Sequence, residues 1–184
     1  MTIKDRLSLL KFSKRLKNIK LIVSDVDGVM TDGSLIFDDT GNEFKIFNAL
    51  DGSAIAMALN AGIKIAIISG SKSNSVINRF RKFSKIDPND IIIGTENKLP
   101  ALLTLIEKYG LTKEECAFIG DDVIDLEPIH NVGISFAPKN AIKEVKRKAN
   151  IVINEEGGNG AVRIAIEMIL RAKGNYNEII QSYY

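Results

Sequence analysis

The sequence predicts an α/β domain with a mostly parallel sheet and helices on both faces. Short apolar segments rich in Ile, Val and Leu recur along the chain without polar alternation, which is typical of strands buried on both faces. Helical patterns separate these segments, and the connections between them are short. Strands that alternate with helices in this way form βαβ units.

Composition favours a single domain over residues 1–184. The chain is 45% hydrophobic and 26% charged with a net charge of +2, and its charges are interspersed. We therefore expect no nucleic-acid partner. A single cysteine, Cys116, excludes a disulfide within the chain and predicts a cytoplasmic location. No apolar stretch approaches the roughly 20 residues of a membrane span, and a signal peptide is not expected.

The first elements are a helix, a strand and a hairpin. Residues 1–18 place Ile3, Leu7 and Leu10 on one stripe of a basic helix, which we expect to pack on its own domain or a neighbour rather than on a membrane. The next apolar segment, KLIVSD, predicts a buried strand. Two apolar segments then flank the turn residues DDTGN, so residues 34–48 predict a β-hairpin.

Strands and helices alternate through the rest of the chain. A helix is expected from Asp51, whose carboxylate suits an N-cap, to a stop at Ala61 and Gly62. The predicted strands are IKIAIISG, DIIIG, CAFIG, ISFA and NIVIN. The predicted helices between and after them are SKSNSVINRFRKF, NKLPALLTLIEKYG, VIDLEPIHNVG, AIKEVKRKA and GAVRIAIEMILRAKG.

Carboxylates, a hydroxyl and an ammonium follow the predicted strands, at the edge where ligands bind such sheets. They are Asp25, Asp27, Ser69, Lys98, Asp121 and Asp122. Gathered carboxylates repel each other and need a cation, and all-oxygen ligands favour Mg²⁺ over Zn²⁺. With one histidine, His130, and one cysteine in the chain, we expect no His/Cys zinc site.

Mg²⁺, a lysine and a hydroxyl together can bind a phosphoryl group. A carboxylate held against the phosphorus, such as Asp25, can be the nucleophile, and Asp27 can then serve as general acid and base. Gly28 lets the backbone turn beside the phosphate. The alternative to a catalytic role is a structural one, in which both aspartates are turn and cap residues. A calcium loop is disfavoured because Val29 and Ile36 stand where an EF-hand needs ligands.

Four motifs in order resemble those of the haloacid dehalogenase superfamily of phosphohydrolases: DVDGV, IISG, the lysine of TENKL, and GDDVID. The longer segments DVDGVMTDG, FNALDG and GGNGAVR are similar to those of the 3-deoxy-D-manno-octulosonate 8-phosphate (KDO 8-phosphate) phosphatases and of phosphatases that act on sialic-acid-type 9-phosphates. The resemblance implies a Rossmann-like fold. It also implies a Mg²⁺-dependent phosphatase that hydrolyses KDO 8-phosphate through an aspartyl-phosphate.

The resemblance also assigns roles by position. It implies Asp25 as nucleophile, Asp27 as general acid and base, and Lys98 as a catalytic cation. It implies a metal site formed by Asp25, the backbone carbonyl of Asp27, and Asp121, with Asp122 and Asp125 behind it. The implied substrate-binding residues are Asp27, Asn48, Asp51, Gly52, Ser69, Gly70, Arg79 and Lys98.

Three positions that bear on the substrate depart from the family pattern. Leu50, Ala56 and Ser71 stand where KDO 8-phosphate phosphatases typically carry basic residues. A sugar acid needs a cation or oriented hydrogen-bond donors for its carboxylate, and Arg79, Lys72 or Arg163 could supply the cation. Alternatively, the substrate is a nine-carbon acid, KDN or N-acylneuraminate 9-phosphate. A catalytically idle assembly module is a third hypothesis, disfavoured because the catalytic residues are all present.

Spacing leaves no room for a cap domain of roughly 50 residues, so a mutase that needs such a cap is not expected. The hairpin of residues 34–48 is then the expected lid. In the family that this sequence resembles, hairpins of four subunits assemble into a barrel, which implies a homotetramer. The resemblance also puts the C-terminal segment near a neighbouring site, where Arg163 either meets substrate or docks the last helix.

Overall fold

The computed structural model describes residues 1–182 and 184. Six parallel strands form one sheet in the order β5-β4-β1-β6-β7-β8, and β2 pairs with β3 in a separate antiparallel hairpin. The strands are Leu21–Ser24 (β1), Ile36–Phe37 (β2), Glu43–Phe44 (β3), Lys64–Ser69 (β4), Ile91–Ile93 (β5), Cys116–Ile119 (β6), Ile134–Ala137 (β7) and Ile151–Val152 (β8). This confirms the predicted α/β fold and its hairpin.

Helices cover both faces of the sheet. They are Ile3–Asn18 (α1), Ala49–Asn60 (α2), Asn74–Phe80 (α3), Lys98–Lys108 (α4), Leu126–His130 (α5), Lys143–Lys148 (α6), Ala161–Lys173 (α7) and Tyr176–Gln181 (α8). One apolar core joins the sheet to α1, α2, α3 and α7, and a second joins it to α4, α5 and α6. The sequence patterns did not predict α8.

Strand β1 lies between β4 and β6, in the middle of the sheet. All four of its residues are buried, which explains why the segment is apolar without alternation. Where the strand ends, the backbone N–H of Asp25 still donates to the carbonyl of Ile119, 3.0 Å away on the neighbouring strand. The first carboxylate of the chain's DVDGV segment is therefore anchored at the centre of the sheet edge.

Helix α1 packs against α7, but through a different face from the one that its stripe of Ile3, Leu7 and Leu10 suggested. Those three side chains are 79%, 62% and 74% exposed, whereas Leu16 is fully buried. The helix has two apolar stripes, and the domain uses the one that ends in Leu16. Among the described residues, no helix combines the length and apolarity needed to cross a membrane.

The prediction that Asp51 caps α2 is wrong. Asn48 is the cap, and its side-chain oxygen accepts from the backbone N–H of Leu50 at 2.8 Å. The helix ends as predicted, with Gly62 at a φ of +79° directly after the C-cap Ala61. Asp51 instead lies in the first turn and bonds another helix, because its Oδ1 accepts from the backbone N–H of Arg163 at 2.7 Å.

Candidate active site

Asp25 and Lys98 form a buried ion pair at the carboxyl edge of the sheet. Lys98 is the first residue of α4, and its Nζ lies 2.8 Å from Oδ2 of Asp25. The lysine side chain is fully buried, so its ammonium must be paired to remain charged there. The other oxygen of Asp25 accepts from the backbone N–H of Val26 at 2.7 Å. Both carboxylate oxygens of Asp25 are therefore held in place.

Asp125 is the second partner of Lys98, with its Oδ1 2.8 Å from Nζ. Its Oδ2 accepts from the backbone N–H groups of Asp121 and Asp122, at 2.9 and 3.2 Å. Asp125 thus fixes both the lysine and the loop that carries the acidic residues. This geometry supports the expectation that Asp125 stands behind the metal site, and its contact with Nζ also orients Lys98.

Asp121 points into the site with an unsatisfied oxygen. Its Oδ1 is buried and has no hydrogen-bond partner among the described residues. A Cβ placed on Gly28 would lie 2.0 Å from Oδ2 of the same carboxylate, and Gly28 has a φ of +76°. Only glycine therefore fits at the turn after Asp27. The close approach explains why the DVDGV segment needs glycine at this position.

The electrostatics of this cluster favour a bound cation. Burial and the nearby Asp125 raise the pKa of Asp25 to about 7, against the opposing effect of Lys98. Burial and the carboxylates of Asp25 and Asp125 raise the pKa of Asp121 to about 8. Burial opposes the charge of Lys98, but its two carboxylate partners outweigh that effect and raise the pKa of the lysine.

The cluster opens into a cleft of about 310 Å³ at the ends of β1, β4 and β6. The lining residues are Asp25, Asp27, Gly28, Asp32, Gly33, Gly70, Ser71, Asp121, Asp122, Ile124 and Asn140. Ser69 is fully buried at the end of β4, and its hydroxyl accepts from the backbone N–H of Ser71 at 3.1 Å. The structure therefore brings Asp25, Asp27 and Asp121 together at the cleft, with Lys98 against Asp25. Gly70 lines the cleft, and Ser69 is buried directly before it.

Asp27 reaches the cleft from the chain turn, and a lysine from the hairpin holds it. Nζ of Lys45 lies 2.6 Å from Oδ1 of Asp27 and 2.6 Å from Oε1 of Glu43. No sequence motif pointed to Lys45. Glu43 and Lys45 alternate with apolar Phe44 and Ile46, and this alternation was the only available signal that the two charges share a face.

The glycine-rich segment before α7 supports the turn at Gly28. Asn140 donates from Nδ2 to the carbonyl of Gly28 at 2.8 Å and accepts at Oδ1 from the backbone N–H of Gly157 at 2.6 Å. A Cβ on Gly157 would lie 1.9 Å from that same carbonyl oxygen. No sequence pattern pointed to Asn140, because its role depends on two loops that meet only in the folded chain.

Four predicted substrate-binding residues form a separate group. Asn48, Asp51, Gly52 and Arg79 line a small cavity that is distinct from the carboxylate cleft. Asn48 donates to the carbonyl of Gly158 at 3.0 Å, and Nη2 of Arg79 would lie 2.1 Å from a Cβ on Gly52. These side chains hold α2, α3 and the glycine-rich segment together. Their contact with substrate stays a prediction.

The three cations suggested for a substrate carboxylate differ in position. Arg163 pairs through its Nε with Glu167 at 2.8 Å, one turn along the same helix. Arg79 lies over the rings of Phe47 and Phe83, at 5.9 and 5.0 Å. Lys72 borders a second surface depression beside the hairpin. His130 is exposed at the end of α5, outside the cleft.

Comparison with known proteins identifies the family. The sequence model of the haloacid dehalogenase-like hydrolases matches residues 82–164. The 3-deoxy-D-manno-octulosonate 8-phosphate phosphatase KdsC of Haemophilus influenzae is 38% identical over 161 residues, which are 88% of each chain. This chain belongs to the KDO 8-phosphate phosphatase family.

Solved structures of this family share the whole fold. A KDO 8-phosphate phosphatase from Moraxella catarrhalis, in complex with a magnesium ion, a phosphate ion and KDO, has a TM-score of 0.90 at 34% identity and covers 95% of this chain and 98% of its own. The cobalt-bound form of the Haemophilus influenzae enzyme has a TM-score of 0.84 at 38% identity. The match covers 88% of this chain and 93% of that enzyme's chain.

The residues present fit a hard divalent cation. Carboxylate oxygens of Asp25, Asp121 and Asp125 lie within 4.8 Å of one another. Both oxygens of Asp125 already accept hydrogen bonds, whereas Oδ1 of Asp121 is buried without a partner in the described chain. Asp121 is therefore the better metal ligand, because one of its oxygens is unsatisfied. Asp125, whose oxygens are both occupied, is better suited to hold the ligands in place.

Proposed function

We propose that this chain is a Mg²⁺-dependent phosphatase that hydrolyses KDO 8-phosphate to KDO and phosphate. The observation that carries the proposal is the arrangement of Asp25, Lys98 and Asp121 at the central strand ends. A buried lysine holds one carboxylate at the edge of a cleft, and a second carboxylate has a free oxygen. The chain's membership of the KDO 8-phosphate phosphatase family makes KDO 8-phosphate the favoured substrate.

The first half of the reaction transfers the phosphoryl group to Asp25. A carboxylate oxygen of Asp25 attacks phosphorus, and the bond between phosphorus and the sugar oxygen breaks. Asp27 gives its proton to the departing sugar oxygen, so that this oxygen leaves as a hydroxyl and not as an alkoxide. The ammonium of Lys98 and the Ser69 hydroxyl stabilise the transferred phosphoryl oxygens.

The second half releases phosphate. Asp27, now a carboxylate, takes a proton from a water molecule, and that water attacks phosphorus. The bond between phosphorus and Asp25 breaks, which restores the carboxylate of Asp25 and its ion pair with Lys98. The two halves together consume one water and one ester, and Asp27 ends with the proton with which it began.

Mg²⁺ would be held by Asp25, the backbone carbonyl of Asp27, and Asp121. When bound, it neutralises the negative charge that accumulates on the phosphoryl oxygens. The residues of the chain keep this site in shape: Asp125 anchors the Asp121 loop, and Gly28 leaves space for the Asp121 carboxylate.

A nine-carbon acid 9-phosphate is the alternative substrate. The observation that favours it is the absence of side-chain cations at Leu50, Ala56 and Ser71. Ser71 lines the cleft and donates to Glu43 at 3.3 Å, so this position offers a hydroxyl where a cation is expected. The same family membership that favours KDO 8-phosphate does not explain this difference.

We also propose a homotetramer in the cytoplasm whose hairpins cover neighbouring sites, with the C-terminal segment close to them. The hairpin supports an assembly because its large apolar side chains are exposed. Leu35, Phe37, Phe44 and Ile46 are each more than half exposed. An isolated two-stranded ribbon is marginally stable by itself, so a partner surface would stabilise it.

Phosphate release with Mg²⁺ tests the function on four substrates: KDO 8-phosphate, KDN 9-phosphate, N-acetylneuraminate 9-phosphate and a simple hexose phosphate. We expect the highest kcat/KM for KDO 8-phosphate. Preference for a nine-carbon acid would instead show that Leu50, Ala56 and Ser71 mark a changed pocket. Absence of turnover on all four would favour an idle module.

Asp25→Asn tests the covalent step. We expect this variant to lose turnover by several orders of magnitude, because an amide cannot serve as the nucleophile. It should keep its fold, since the amide oxygen can still accept from Lys98 or Val26. Circular dichroism checks the fold, and the same phosphate assay checks turnover. Activity near the wild-type level in this variant would rule out the aspartyl-phosphate.

A further inference from the structure

Lys45 is a buried lysine that the expected catalytic set does not include. Its side chain is 1% exposed, although its hairpin neighbours Phe44 and Ile46 are 53% and 70% exposed. An ammonium removed from water is stable only when it is paired. Glu43 supplies the opposite charge and Oδ1 of Asp27 a second acceptor, each 2.6 Å from Nζ. Lys45 contacts Oδ1 of Asp27, which leaves Oδ2 for the proton that Asp27 transfers.

The hairpin side of this contact is itself fixed. Oε2 of Glu43 accepts from the hydroxyl of Ser71 at 3.3 Å, and the backbone carbonyl of Glu43 accepts from the hydroxyl of Ser75 at 2.9 Å. Ser71 lies in the loop that follows Ser69 and Gly70 at the end of β4, and Ser75 lies in the first turn of α3. Lys45 is therefore held between the acid/base carboxylate and the phosphate-binding loop.

Asp27 depends on this lysine for its orientation. Its side chain is 30% exposed, and in the described part of the chain Lys45 is the group that bonds its carboxylate. The terminal torsion of an aspartate is broad, so a carboxylate without partners rotates freely. Proton transfer needs the oxygen within hydrogen-bond reach of the departing sugar oxygen.

We propose that Lys45 is a positioning residue that holds Asp27 toward the leaving-group side of the cleft and couples this orientation to the seated hairpin. The proposal rests on the proposed function, because it assigns Asp27 the general acid role. Lys45 acts through Asp27 and takes no part in the bond changes at phosphorus.

Lys45→Met tests the proposal with substrates that differ in their need for a proton. The value of kcat/KM includes the steps up to departure of the leaving group. A p-nitrophenolate leaves without a proton, whereas the alkoxides of benzyl phosphate and KDO 8-phosphate need one. We expect kcat/KM to fall at least about tenfold for the two alkyl esters, within the range of general acid catalysis, and to change little for p-nitrophenyl phosphate.

Two further variants separate orientation from stability. Lys45→Arg keeps a cationic donor to Asp27 and should recover most of the lost activity on the alkyl esters. Lys20→Met is the matched control, because it removes a lysine that pairs with Glu115 at 2.6 Å on the surface, away from the cleft. The control should leave all three kcat/KM values unchanged. Melting temperatures of each variant monitor the fold.

Other outcomes overturn the proposal in distinguishable ways. Equal losses on all three substrates would make Lys45 a structural clamp for the hairpin. A loss confined to KDO 8-phosphate would make it a direct contact to the sugar. No loss on any substrate would show that Asp27 needs no such support. Wild-type protein inactive on every substrate would overturn the proposed function, and this proposal with it.

Discussion

Single glycines at the site are required by neighbouring backbone rather than by turns alone. Gly157 shows this most clearly, because a methyl group there would meet the carbonyl oxygen of Gly28 at 1.9 Å. That carbonyl also accepts from Asn140, so the loop cannot retreat without breaking a hydrogen bond. The shape of the turn after Asp27 is thus determined by a residue far away in sequence.

Gly157→Ala should therefore impair catalysis as well as stability. The added methyl group must displace the Gly28 turn, and a displacement of about 1 Å at a reacting group can reduce activity about 10²-fold. Overpacking should also cost about 1–3 kcal/mol of unfolding free energy. Steady-state phosphate release and urea unfolding measure the two effects.

Gly110→Ala is the control for this substitution. Gly110 has a φ of +61° with nothing within 4 Å of an added Cβ, so alanine there should cost about 1 kcal/mol of backbone strain without affecting kcat/KM. If Gly157→Ala had no larger effect on activity than Gly110→Ala, the segment before α7 would not support the site.

At the scale of elements, α2 and α7 are joined at their first turns. Asp51 in α2 accepts from the backbone N–H of Arg163 in α7. The N-cap of α7 is Gly160, which has no side chain to cap the helix. The second oxygen of Asp51 is buried and has no partner among the described residues. The carboxylate thus serves as a cap for a distant helix, at an electrostatic cost.

Asp51→Asn should become more stable than the wild-type protein as the pH rises, because the variant has no buried charge at this position. Burial raises the pKa of Asp51 from 3.8 to about 6, so ionisation disfavours the folded state. The stability contribution of the protonated group is complete below pH 4 and is lost as the pH rises through 6. The melting temperature of the variant, relative to wild type, should increase by a few degrees over that range and stay constant above it.

Thermal unfolding of both proteins between pH 4 and pH 8 checks this expectation. The amide keeps an oxygen for the N–H of Arg163, so the comparison removes only the charge. A variant that is less stable than wild type by a growing margin above pH 6 would show the opposite, namely that the ionised carboxylate stabilises α7.

The elements and the acidic cluster could be predicted because both depend on local patterns. Continuous apolar segments mark central strands, and polar residues at their ends must meet at one edge of a parallel sheet. The face of α1 could not be predicted, since Ile3, Leu7 and Leu10 form as good a stripe as the one ending in Leu16. Lys45 and Asn140 could not be predicted either, because their partners are 18 and 112 residues away in sequence.

Over the whole molecule, the hairpin presents two faces with different partners. Glu43 and Lys45 face the chain's own site, whereas the alternating Phe44 and Ile46 are 53% and 70% exposed. One face of the same ribbon is therefore available to a neighbouring subunit while the other contacts Asp27.

Phe44→Ser with Ile46→Ser should convert the proposed tetramer to monomers. Both side chains are exposed in one chain, so their loss should leave the fold intact and remove apolar area from an interface. Light scattering coupled to gel filtration measures the mass. Leu103→Ser, which removes an apolar side chain that is 40% exposed on α4, should keep the assembly. A monomeric wild-type protein would contradict the proposed tetramer directly.

Because β6 lies in the middle of the sheet, its buried cysteine can be used to follow opening of the fold. Cys116 begins this strand, is fully buried, and is the one thiol of the sequence. Burial raises its pKa to about 12, so the thiolate that thiol reagents attack is scarce in the folded protein. The rate at which a thiol reagent labels Cys116 therefore reports how often the middle of the sheet opens. No added probe is needed, because the native cysteine serves as the label site.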